Sequence, residues 1–94
     1  VVRPSREAVA RWNTAYAEQT SALFAAAAVG DLAAVQRLAV SYAAVARAWR
    51  ALGGELAVSL WARHACVIAA EEFERRAEVE HARASRMELD EGAS

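Results

Sequence analysis

Lysine is absent from these 94 residues, and cysteine and proline occur once each. A lone cysteine, Cys66, excludes an internal disulfide, and its apolar setting in HACVIAA is that of a buried, inert thiol. A lone proline at Pro4 means that no later helix is interrupted by a ring lacking an N–H. Glycine punctuates the interior at only two places, Gly30 and Gly53-Gly54, so there is no glycine-rich loop to cradle a phosphate. No Ser/His/Asp set and no alternating strand pattern stand out either, and the chain is expected not to be an enzyme and to need no cofactor. The longest uncharged run, Gln19 to Gly30, is too short to span a bilayer. The opening VVRPSREAVA lacks the apolar core of a secretory signal. A cytoplasmic protein with no membrane partner is the expectation.

What fills the chain instead is alanine, 26 residues of it, with all eleven basic residues arginine. That bias fits a GC-rich genome, actinobacterial or phage in origin. Alanine is the best helix former, and its small side chain lets helix axes approach closely. The net charge is −1, but the halves differ. Residues 1–54 carry six Arg against three acids, and residues 55–94 carry five Arg against nine acids. The front half is therefore mildly basic and the back half acidic.

These features predict an all-α fold, a three-helix antiparallel bundle with a long, charged third helix, in a single domain covering 1–94. Helix 1 is expected over about 5–29, opening at Pro4-Ser5. Its larger residues are Val9, Trp12, Tyr16, Leu23 and Phe24, with Gln19 and Thr20 interrupting the stripe. Gly30 ends it, and Asp31 caps helix 2, expected over about 32–52. In helix 2, Val35, Leu38, Tyr42, Val45, Trp49 and Leu52 follow steps of three and four, the spacing of a helix-packing seam.

Helix 3 is expected from Glu55 to Met87, with 88–94 frayed. Its front is apolar from Leu56 to Phe73, and its back is a charge lattice with Glu71–Arg75 and Glu72–Arg76 pairs. This helix outruns helix 2, so its charged half is expected to project without cover from its own chain. Apolar residues also occupy more than one of its faces. Trp61, Ile68, Phe73 and Val79 are therefore assigned to an interface, with another copy of the chain or a larger protein as the partner. A non-enzymatic interaction or assembly module is the expected function.

Two alternatives accompany that reading. Arg3, Arg6, Arg11, Arg37, Arg47 and Arg50 lie in the basic half, and Arg37, Arg47 and Arg50 on helix 2 are the candidate phosphate contacts of a nucleic-acid adaptor. In layout, with Trp12 followed by Asp31 capping an alanine-rich helix bearing YAAVARAWR, the chain is similar to phage terminase small subunits. That resemblance implies a role in DNA packaging. The second alternative is a metal site at a dimer interface. Glu78 and His81, spaced i,i+3 on one helix face, form the Glu-x-x-His pair of ferritin-like di-iron sites. Over Glu78 to Ala82 the chain resembles small encapsulated ferritins, which assemble iron across a dimer, yet Leu32 to Leu52 supplies no carboxylate. His64, beside Trp61 and Ile68, reads as a histidine at the edge of the core. SALFAAAAVGDLAAVQRLA also resembles the helical hairpin of one ankyrin repeat, through Leu23, Ala26-Ala27, Gly30, Val35 and Leu38. No second copy follows it.

Overall fold

Ser5, Asp31 and Ser59 set the starts of three helices. Each turns a side-chain oxygen to a backbone N–H that its helix leaves free: Ser5 Oγ to Ala8 (3.1 Å), Asp31 Oδ1 to Ala34 (2.9 Å) and Ser59 Oγ to Ala62 (3.4 Å). The computed structural model describes residues 4–55 and 58–93, and Arg3 and Leu56 lie outside them. The helices are α1 (Arg6–Ala28), α2 (Leu32–Gly53) and α3 (Leu60–Ala93), with no strand among the described residues. The chain is an all-α arrangement of three helices with a long third one. No helix of the described residues is long and apolar enough to cross a membrane.

The start and end of helix 3 differ from expectation. Glu55 precedes the helix and accepts a hydrogen bond from Ser5 Oγ at 2.7 Å, joining the foot of α1 to the α2–α3 connection. Ser59 supplies the cap instead. At the other end, residues 88–93 continue as helix rather than fraying.

α2 is the central helix. Its neighbours α1 and α3 each pack on it, and no Cα of α1 approaches one of α3 within 8 Å. Burial follows from that position: Val35, Leu38, Tyr42 and Val45 are buried, and Trp49 and Leu52 are partly so. Ala39, Ala46 and Ala48 are buried beside them.

The flanking helices present small residues to α2. On α1 the inward seam is Ala8, Trp12, Ala15, Gln19, Ala22 and Ala26, spaced four and three. Gln19, expected to interrupt the apolar face, is itself buried at 5% exposure, whereas Phe24 is 69% exposed. On α3 the buried residues are Cys66, Ala70, Ala77 and Ala84. α2 therefore covers the charged half of α3 as well as part of its apolar front, contrary to the expectation that the charged half projects free. Alanine achieves this because a single methyl lets the backbones close up, while the long charged chains of the same turns lean outward. Gly53 marks a close approach, where an added Cβ would stand 2.9 Å from the Cys66 Cβ.

Large side chains bridge α1 and α3 where the backbones stay apart. Trp12 stacks on Tyr16 (ring centroids 4.9 Å) and meets Trp49 edge-on (5.2 Å). Tyr16 then meets Phe73 (6.5 Å), which also touches Tyr42 (6.0 Å). Five of the seven aromatics thus form one chain of rings across all three helices. Phe24 and Trp61 stand outside it.

Candidate interaction surface

Polar clamps fix the helices in register and leave one face of α3 free. Arg37 forks onto Glu18 across the α1–α2 junction (2.9 and 2.7 Å), and its Nη2 also reaches Ser21 Oγ. Arg50 forks onto Glu74 across the α2–α3 junction (both 2.7 Å). Further along that junction Gln36 donates to Glu88 at 2.9 Å. Such bidentate pairs orient two helices more than they stabilise them, because both ends remain in water.

The hydrogen bonds from Arg37 and Arg50 hold the Glu18 and Glu74 carboxyls below the ordinary value of 4.5. A carboxylate with a depressed folded pKa contributes stability that is present above its unfolded pKa and is lost as pH falls through its folded one. Melting temperature should therefore fall on acidification through about pH 4.5 and below. In a Glu18→Gln, Glu74→Gln variant that acid slope should flatten; an unchanged slope would place the acid-sensitive groups elsewhere.

These clamps also decide what the α2 arginines can do. Arg37 and Arg50 are engaged within the chain, while Arg47 is exposed. On α3, Glu72 pairs with both Arg75 and Arg76, and Arg76 lies over the Phe73 ring at 4.9 Å. The i,i+4 pairing of Glu71 with Arg75 that the spacing predicts gives way to another. Glu72 takes Arg75 at i,i+3, and Glu71 lies in the field of Arg50.

The residues assigned to association divide. Phe73 is partly buried and packs against the core cluster of Ala22, Ala26, Leu38, Tyr42 and Ala77 instead of lying with the exposed residues. Trp61, Ile68 and Val79 are 77%, 53% and 57% exposed. At 100° per residue they share a stripe about half a turn from Ala70, Ala77 and Ala84, on the side of α3 away from α2. Leu60 is also exposed, and Trp61 borders an open apolar hollow of about 440 Å³ with Pro4, Leu52, Val58 and Cys66. Burial pushes the Cys66 thiol pKa up, away from a reactive thiolate.

Glu78, His81 and His64 are all exposed, so His64 does not sit at the core edge. Among the described residues no group of three or more His, Cys, Asp or Glu side chains is placed to hold a metal. Compared with family models, curated proteins and solved structures, the chain matches none.

Proposed function

We propose that this chain is a non-enzymatic assembly module that associates with a second copy of itself through the outer face of α3. One observation carries the reading: Trp61, Ile68 and Val79 lie exposed along one stripe, while the opposite face of the same helix is already filled by α2. On that stripe Glu72 and Arg75 stand between Ile68 and Val79, so apolar side chains alternate with charges of both signs, and an exposed tryptophan is a common anchor of such interaction surfaces. The nucleic-acid alternative draws less support, since two of its three helix-2 cations are held by Glu18 and Glu74. A role on a larger protein partner would use the same stripe.

The test is absolute mass by light scattering behind a sizing column, at low and high salt, for the wild type and Ile68→Glu. The wild type should run as a fixed oligomer at both salts. Ile68→Glu should weaken association by roughly 30-fold or more, with helicity retained and any loss of melting temperature confined to concentrations at which the wild type associates. A wild type that is monomeric at every concentration would overturn self-association.

A further inference from the structure

The outer stripe of α3 can be read position by position. Steps of four and three from Trp61 give Ala65, Ile68, Glu72, Arg75, Val79, Ala82 and Arg86. Seven of these eight are exposed, Glu72 being half-buried beneath its pairs with Arg75 and Arg76. The steps run four, three, four, three, four, three, four, the same in either direction. An identical stripe laid antiparallel therefore meets it layer for layer.

We propose that this stripe is a self-complementary antiparallel seam, occupied by the same stripe of a second copy centred between Glu72 and Arg75. The inference rests on the self-association reading above and adds the partner's direction and register. In this register Ile68 faces the second copy's Val79, and Ala65 faces its Ala82. Glu72 faces its Arg75, and Trp61 faces its Arg86. Each layer recurs by the two-fold axis.

The chemistry of every layer matches. Ile68 and Val79 bury apolar surface that is now half in water. The alanine pairs let the two helices close. Glu72 and Arg75 meet as opposite charges, and the guanidinium of Arg86 can lie on the indole of Trp61. A parallel copy places Glu72 against Glu72 and Arg75 against Arg75 at the centre of the seam, and like charges in contact oppose that arrangement. The register occupies only the face of α3 that α2 leaves open, so the existing fold needs no rearrangement.

Cysteine placement tests it directly. In a Cys66→Ala background, Ala65→Cys and Ala82→Cys are prepared as separate proteins and treated with a short bismaleimide, alone and mixed. The proposed register brings 65 against 82, and leaves each site about 25 Å from its own counterpart. The mixture should give a crosslinked dimer and each protein alone essentially none. A companion measurement uses charge: Glu72→Arg and Arg75→Glu should each weaken self-association by at least ~10-fold, and a 1:1 mixture should restore a heterodimer. Crosslinking of Ala65→Cys to itself, or a wild-type dimer with no 65–82 product, overturns the register while leaving self-association standing. A monomeric wild type with no product in any mixture overturns both.

Discussion

Leu38→Ala should lower stability by about 2–5 kcal/mol. Leu38 is 3% exposed and packs with Ala22 and Ala26 of α1, Tyr42 of its own helix and Ala77 of α3. Three of its four neighbours in this cluster are alanines on α1 and α3, whose methyls are fixed to the backbone and cannot swing into the space left. The cavity should therefore stay open, which puts the cost toward the upper part of that range. A chain of this length has a total stability of about 5–14 kcal/mol, so the variant loses a substantial share. At roughly 4–8 °C per kcal/mol for a domain of this size, melting should drop by about 10 °C or more. Thermal melts followed by far-ultraviolet dichroism give the number. A drop of a degree or two would mean that α2 is not the central helix. The same substitution at Val40, which is 59% exposed on α2, should cost little by comparison.

That contrast was legible in the sequence because α2 writes its core in large residues. Val35, Leu38, Tyr42 and Val45 recur at steps a reader of apolar periodicity can count, and the Gly30-Asp31 and Gly53-Gly54 breaks bracket them. The α2-facing seam of α3 was hidden because it is written in small ones. Ala70, Ala77 and Ala84 recur at intervals of seven, but they sit among Glu71, Glu72, Arg75, Arg76 and Glu78, and the charges dominate the reading. A strict seven-residue alanine spacing was the available signal that this half of the helix is covered. α1 misleads in the same way, since its large Val9, Leu23 and Phe24 lie outside the seam that Ala8, Ala22 and Ala26 form. Ser59, three residues before Ala62, is an N-cap that the two glycines before Glu55 obscured. For the surface itself, the sequence pointed to Trp61, Ile68 and Val79 through an excess of apolar faces on α3. It could not exclude Phe73, because only the three-dimensional meeting of Tyr16, Tyr42 and Phe73 shows that this ring is already used.

If alanine is the spacer that sets the distance between α2 and α3, enlarging it should be harmful, as hollowing out the core beside it is. Ala77→Leu is the test. Ala77 is 5% exposed and touches the cluster of Ala22, Ala26, Leu38 and Tyr42. Three added carbons press on the side chains already packed at that point. They must displace Tyr42 or Phe73, or push α3 away from α2. Overpacking of this kind costs about 1–3 kcal/mol and occasionally more. Moving α3 outward also strains the Arg50–Glu74 and Gln36–Glu88 clamps, which flank Ala77 on the same junction. The expected outcome is a melting temperature lower by about 5–20 °C, with the aromatic dichroism altered because Tyr42 and Phe73 share that site. Ala17→Leu, on the exposed side of α1, adds the same carbons where nothing is packed and should leave both signals near the wild type. If Ala77→Leu instead melts at or above the wild type, the α2–α3 junction holds room for a larger side chain, and close approach through alanine is not what covers the charged half of α3.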